Sequence, residues 1–274
     1  MKDNASSPAI SDPLTEAAVR ALRAPYTDAP LLFLEETTST NTVAREAALA
    51  GAPAGTLVVA GRQTAGRGRR THSFFSPADS GLYMSLLVRP ALPAAEAIRL
   101  TTAAAVAVCR AAEAETDAVC GIKWVNDIFV GGRKICGILV ESATRADGTL
   151  DWAVVGIGVN VSAPAGGFPP EIAGTAGALT AAPAAGLRAR LLCAIEREFL
   201  ALSADLAGGA YRAEYARRCL AVGRTVTVLA ADGGETMAFA YGVDDECRLL
   251  VRYADGREAA LSSGEIRVRL DGGR

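Results

Sequence analysis

The sequence predicts an α+β fold: a mixed, largely antiparallel sheet flanked by helices, with a small closed barrel appended at the C-terminal end. Three observations predict it. Between Leu31 and Leu220, short apolar runs of strand character are interspersed with alanine- and leucine-rich helical stretches. Some of those runs meet at the two-residue turn signals Gly131-Gly132 and Asp147-Gly148, which join antiparallel neighbours directly. Beyond Ala221 the pattern changes to five short strands with turns at Asp232-Gly233-Gly234, Asp244-Asp245 and Asp255-Gly256, the punctuation of a small barrel. These changes divide the chain into a leader with one short helix (residues 1–30), a core domain (31–221) and a C-terminal domain (222–274).

Residues 1–10 read as a disordered leader. Ser11 or Asp12 as N-cap, with Pro13 at the first helical position, starts a helix running to about Ala24. Leu31 to Leu34 is a buried strand, and Thr37-Thr38-Ser39-Thr40-Asn41 leads into an alanine-rich helix that ends at Gly51. Thr56 to Gly61 and Gly81 to Arg89 are strands joined by a long connection, and loops of that length in compact domains are functional lids or disordered. An apolar helix from Pro93 to about Ala114 precedes a strand pair over Ile122 to Val130, interrupted at Asn126-Asp127. Strands over Lys134 to Glu141 and Trp152 to Val161 follow, then a Pro/Gly/Ala-rich loop from Pro164 to Ala185 with one helical turn. Helices from about Gly186 to Leu206 and Tyr211 to Leu220 complete the core. The barrel strands are Thr225 to Ala230, Glu235 to Val243, Arg248 to Tyr253, Glu258 to Leu261 and Ile266 to Leu270.

Composition narrows the function. Of 274 residues, 50% are apolar, enough for a sizeable core. The formal net charge of -2 argues against a generally basic, nucleic-acid-coating surface. No apolar run reaches membrane-spanning length and no signal-like segment opens the chain, so no membrane partner is expected. Six cysteines without CxxC spacing suit reduced thiols in a cytoplasm, with neither a disulfide framework nor a zinc site. His72 is the only histidine, which disfavours histidine-dependent hydrolases and metal centres.

Against that neutral background, Arg62, Arg67, Arg69 and Arg70 crowd one glycine-punctuated segment, Gly61 to Arg70. Two readings stand for the arginines alone: a solvated basic loop, or an anion-binding loop in which Gly66 and Gly68 let backbone N–H groups turn on a polyanion while guanidinium forks grip it. Four hydroxyls and an amide at residues 37–41 exceed the needs of a helix cap. Lys123 lies in an apolar strand, where an ammonium must snorkel, pair, or face a bound anion. Gly156 and Gly158 leave one strand face open to close approach.

The segments TSTN (Thr38 to Asn41), QTAGRGRR (Gln63 to Arg70), FSP (Phe75 to Pro77), KWVND (Lys123 to Asp127), GRKICGILVE (Gly132 to Glu141) and GIGVNV (Gly156 to Val161) resemble biotin protein ligases in order and spacing. The terminal segments GVDDECRLLVRYADG and SSGEIRVR resemble that family's SH3-like C-terminal domain, so the likeness runs from about residue 31 to 270. It implies a class II synthetase/biotin ligase-like catalytic core. It also implies two half-reactions: biotin and ATP give biotinyl-5′-adenylate and pyrophosphate, and the acyl group then passes to a lysine of a biotin carboxyl carrier domain of acetyl-CoA or related carboxylases. Magnesium is implied with the ATP, without a dedicated metal site.

The resemblance places Ser39, Thr40, Asn41 and Gln63 at the biotin ring, and Arg67, Gly68 and Arg69 in a lid over the carboxylate and phosphate. It places Lys123 between those two anions, with Arg67, Arg69 and Lys123 stabilising charge. Asn126 and Asn160 are assigned to the nucleotide together with Arg69 and Lys123, and Asp127 and Lys134 to support. The chain departs from the family's GRGRxGRxW pattern at Thr71, His72 and Phe74, and has Val125 where proline is frequent. Three rivals are weighed. A biotin-sensing repressor is disfavoured because the leader is too short for a winged helix; a lipoate or octanoate enzyme of the same superfamily would lack this arginine loop combined with TSTN; a non-catalytic binding module would not need Lys123 with Arg67 and Arg69. Monomer and homodimer both stay open.

Overall fold

The fold is described from a computed structural model, in which residues 12–69, 72–229, 234–262 and 267–270 are described. Leader residues 1–10, Ser11, Arg70 and Thr71 of the arginine loop, Asp232-Gly233 of the first barrel turn, and Ile266 of the last expected strand lie outside them.

Seven strands form the main sheet: β1 (Leu31–Thr37), β2 (Leu57–Gln63), β3 (Gly81–Val88), β4 (Gly121–Lys123), β5 (Asp127–Val130), β6 (Arg133–Thr144) and β7 (Leu150–Asn160), in the order β1-β2-β3-β7-β6-β5-β4. Only β1 and β2 pair in parallel; every other ladder is antiparallel, so the sheet is mixed and largely antiparallel as expected. Gly131 and Gly132 both take positive φ in the two-residue turn between β5 and β6, the backbone that matches strand twist and favours glycine.

One face of the sheet carries the main core. Leu82, Met84 and Leu86 of β3 and Val155, Ile157 and Val159 of β7 pack with helices α3 (Ile98–Glu115) and α5 (Leu187–Ser203). Helix α1 (Glu16–Arg23) packs on α5, the one-turn helix α4 (Pro170–Ala173) lies in the connection after β7, and α6 (Arg212–Arg218) packs on α3. The opposite face is covered at one end by α2 (Thr40–Leu49), whose Ala44 and Ala48 meet Val58, Leu87, Trp152 and Val154. Small alanine side chains let this helix lie close to the sheet. The next row on that face, Ser85, Gly156 and Leu139, is aligned across β3, β7 and β6, and the row of Tyr83, Gly158 and Gly137 follows it.

The cap of α1 differs from expectation. Thr15, not Asp12, occupies the N-cap and accepts the Ala18 N–H. Asp12 is buried and accepts the Arg188 N–H in the first turn of α5, so it serves another helix through tertiary contact. The helix expected from Pro93 enters as a 3-10 turn over Ala94–Glu96 before α3 begins.

The C-terminal strands β8 (Arg224–Leu229), β9 (Glu235–Val243), β10 (Leu249–Tyr253), β11 (Glu258–Leu261) and β12 (Arg267–Leu270) form an antiparallel sheet in the order β11-β10-β9-β8-β12. No described helix is long and apolar enough to cross a membrane.

Candidate active site

The face left open by α2 holds a cleft with two different ends. At the first, the N-terminus of α2 meets β2 and β3. Ser39 is the N-cap but makes no side-chain cap bond; the N–H of Thr40 instead donates to Gln63 Oε1 at 2.8 Å. The cap is supplied from β2. Asn41 Oδ1 lies 2.6 Å from Ser85 Oγ, and Asn41 Nδ2 donates to Glu141 Oε2 at 2.8 Å. Ser39, Thr40, Asn41 and Gln63 line this neutral end together with Arg67 and the backbone of Gly156 and Gly158.

The second end is cationic, a cavity of about 250 Å³ lined by Arg67, Gly68, Arg69, Lys123, Asn126, Asp127 and Lys134. Lys123 closes β4, opposite Asp127 in register, and its Nζ lies 5.9 Å from the Phe129 ring centre. Lys123 has no carboxylate partner among the described residues, whereas Asp127 lies 2.7 Å from Lys134 Nζ. That proximity is an ion pair without an aligned hydrogen bond, since the same Asp127 Oδ1 is buried with no hydrogen-bond partner. Asn126 accepts from Arg69 Nη1 at 3.2 Å and donates to the Ile138 carbonyl, which fixes its amide between lid and sheet.

The turn after Lys123 is held from behind. The Trp124–Val125 peptide is cis, the Val125 carbonyl accepts from buried Tyr215 Oη at 3.0 Å, and Trp124 Nε1 donates to the Cys247 carbonyl of the C-terminal sheet at 3.1 Å. Burial raises the Tyr215 pKa well above the phenol range, so this hydroxyl stays a neutral donor.

The connecting loop folds on itself. Arg67 and Ser73 form an isolated bridge, Gly68 N–H donates to the His72 carbonyl, and Phe74 N–H to the Gly66 carbonyl. Gly68 therefore uses its N–H within the loop, and a Cβ at Gly66 would lie 2.3 Å from the Phe74 carbonyl oxygen. Close packing of the loop backbone is what excludes a Cβ at Gly66 and crowds one at Gly68 here. Phe74 lays its ring on Gly158, where an added Cβ would come within 2.6 Å of it, and Gly156 similarly admits Asn41. What approaches the two glycines is the protein's own side chains.

Of the residues that the resemblance assigns to ligands or their support, all but Asn160 line one of the two ends, while Arg62 of the loop pairs with Glu36 at 2.9 Å. Asn160 donates to the Gly177 carbonyl and lines a neighbouring cavity of about 100 Å³ that shares Lys134, Ser73 and Phe74. Two buried or half-buried groups escaped sequence reasoning. Ser85, fully buried, is the one small polar residue in the otherwise apolar and aromatic run Leu82 to Val88, and that isolation was its signal. Glu141 ends the quoted GILVE segment and lies within 3.0 Å of Arg67 Nη1.

The sheet thus carries uncharged hydrogen-bonding side chains at the start of α2 beside a cluster of cations on the loop and the β4–β6 strands. The chain matches the biotin/lipoate A/B protein ligase family over residues 33–160 and the biotin protein ligase C-terminal domain over 221–269. It is 30% identical over 237 residues to the biotin–[acetyl-CoA-carboxylase] ligase of Mycobacterium tuberculosis, covering 84% of this chain and 86% of that protein. It is 36% identical over 192 residues to the bifunctional ligase/repressor BirA of Bacillus subtilis, covering 68% of this chain but 59% of that protein. The biotin protein ligase of Aquifex aeolicus in complex with biotin and ATP superposes with a TM-score of 0.73 at 25% identity, covering 88% of this chain and 99% of that one. That of Leishmania major in complex with biotinyl-5-AMP gives 0.57 at 25% identity, covering 85% and 99%. The chain belongs to the biotin protein ligase family.

Proposed function

We propose that this chain joins biotin and ATP into biotinyl-5′-adenylate and then transfers the biotinyl group to a lysine of a carboxyl carrier domain. The observation that carries this reading is the adjacency of two cavities that share Arg67, Phe74, Gly137 and Leu139: one is lined by the uncharged polar side chains of Ser39, Thr40, Asn41 and Gln63, the other by Arg67, Arg69, Lys123 and Lys134. A ureido ring needs neutral donors and acceptors, while a carboxylate and a triphosphate repel each other unless cations are already in place.

In the first step a biotin carboxylate oxygen attacks the α-phosphorus, the bond to the bridging oxygen breaks, and pyrophosphate leaves. Lys123, which has no carboxylate partner among the described residues, is assigned to the charge that gathers between the two anions. Arg67 and Arg69 reach it from the loop, which excludes water from a mixed anhydride prone to hydrolysis. In the second step a lysine amine attacks the acyl carbonyl, AMP departs, and the amine loses a proton. Among the described residues no three acidic, histidine or cysteine side chains gather to hold a metal, and the acids nearest the cleft face Lys134 and Arg67. We therefore assign Mg²⁺ to the nucleotide substrate. Six free, buried cysteines support a reducing cytoplasmic setting.

The test is direct: the purified protein, incubated with Mg²⁺, ATP and an equimolar mixture of biotin and lipoate, is expected to add one biotinyl mass to a carrier domain. Lipoylation in place of biotinylation overturns the substrate assignment. Gly156→Ala probes the neutral end, since its Cβ falls 2.0 Å from Asn41 Oδ1 and must displace that amide. The expected result is a biotin Kd raised by about 10- to 100-fold, the scale of one buried polar group losing its partners. Calorimetry showing an unchanged Kd would remove Asn41 from the ring site.

A further inference from the structure

The buried polar chain beneath the neutral end has fewer protons than contacts. Asn41 Nδ2 donates to Glu141 Oε2 at 2.8 Å and to the Leu139 carbonyl at 3.3 Å. A carboxylate and a carbonyl only accept, so the amide has one orientation, with Oδ1 toward Ser85. Oδ1 also only accepts. Ser85 Oγ, 2.6 Å away, must give it its single proton.

In its 2.7 Å contact with Thr40 Oγ1, Ser85 is then left as the acceptor, and Thr40 uses its own proton there. The last contact, Thr40 Oγ1 to Gln63 Oε1 at 3.2 Å, has no proton left to fill it. The Gln63 amide cannot turn to help. Its Oε1 holds the Thr40 N–H at 2.8 Å, and its Nε2 donates at 2.9 Å to Ser76 Oγ, which in turn donates to the Phe74 carbonyl. Two acceptor oxygens therefore sit side by side at the cleft wall, both among its lining groups.

We propose that Glu141, acting through Asn41 and Ser85, is a positioning residue that fixes Thr40 Oγ1 as a hydrogen-bond acceptor, so that the cleft selects a ligand presenting an N–H there. The inference rests on the biotin reading, in which the donor is a ureido N–H. Such a group supplies the missing proton. A ring oxygen in its place sets a third acceptor against two, and a chain anchored on a carboxylate cannot reverse to relieve it.

The experiment compares biotin with its two cyclic carbamate analogues, each with one ureido N–H replaced by oxygen, by calorimetry on the whole protein. Wild type is expected to prefer biotin over one of the two by about a hundredfold or more, the behaviour of a site built around a substrate N–H. Ser85→Ala frees the Thr40 proton, and Glu141→Ala leaves the Asn41 amide held only by its longer 3.3 Å contact to the Leu139 carbonyl, so that it can turn. Each variant is expected to cut that preference to about tenfold or less, because Thr40 can then donate to the ring oxygen. A structural role alone would weaken biotin and analogue in parallel. A preference unchanged in both variants, with wild type binding biotin normally, overturns this inference and leaves the proposed function standing. Wild type that binds no biotin overturns both.

Discussion

Lys123→Ala is expected to lower the rate of adenylate formation by about 100-fold or more, the cost of removing one preorganised charge from where charge develops. The argument is positional. Lys123 ends a strand, so its backbone is set by the β4–β5 ladder, and the turn that follows is fixed by Tyr215 and Trp124. Its carboxylate neighbour Asp127 is engaged by Lys134, which leaves the Lys123 ammonium available to the cavity. ATP–pyrophosphate exchange should report the loss, with biotin Kd much less affected because the ring is bound at the other end. Exchange within a few-fold of wild type would take the charge-stabilising role away from Lys123.

Arg23→Ala is expected to cost about 3–5 kcal/mol of stability, because it strands a buried carboxylate. Arg23 Nε and Nη2 clasp Glu196 at 2.7 to 3.1 Å, and both side chains are almost fully buried between α1 and α5. Arg23 Nη1 also donates to the Ala29 carbonyl ahead of β1, and Tyr26 Oη donates to Glu196 at 2.8 Å. Denaturant unfolding should give the predicted loss, and a double replacement by apolar residues, Arg23→Met with Glu196→Leu, should recover most of it. A loss below about 1 kcal/mol would mean that water reaches Glu196 once the arginine is gone, as at an exposed pair.

Much of the fold was legible because its signals are local. Gly131-Gly132 fixed a hairpin through its φ angles, and the alternation after Arg224 marked the strands of the small sheet. The cap of α1 was not legible: Asp12 is a sound local capping residue, yet a contact with Arg188, far along the chain, claimed it. The cleft divides similarly. Arg67, Arg69 and Lys123 stood out as charges among glycines or apolar neighbours, and the structure brings them to one cavity. Ser85 and Glu141 stayed hidden because their meaning depends on the β3–β7–β6 register, which sets Ser85 and Leu139 on either side of Gly156. The close packing around the loop glycines depends on Phe74, Ser76 and His72 folding back on them, which no local pattern shows.

Strand β4 leans on the junction between the two sheets: Ile122 bridges to Cys219, the Leu220 N–H donates to the Ile122 carbonyl, and a Cβ at Gly121 would strike Leu220. With Trp124 fastened to Cys247, the short strand bearing the ammonium is gripped at both ends by the C-terminal third of the chain. The position of the Lys123 ammonium is thus set by Cys219, Leu220 and Cys247, much later in the chain, and loosening the Trp124–Cys247 contact is expected to shift Lys123 while leaving Ser39 to Asn41 in place.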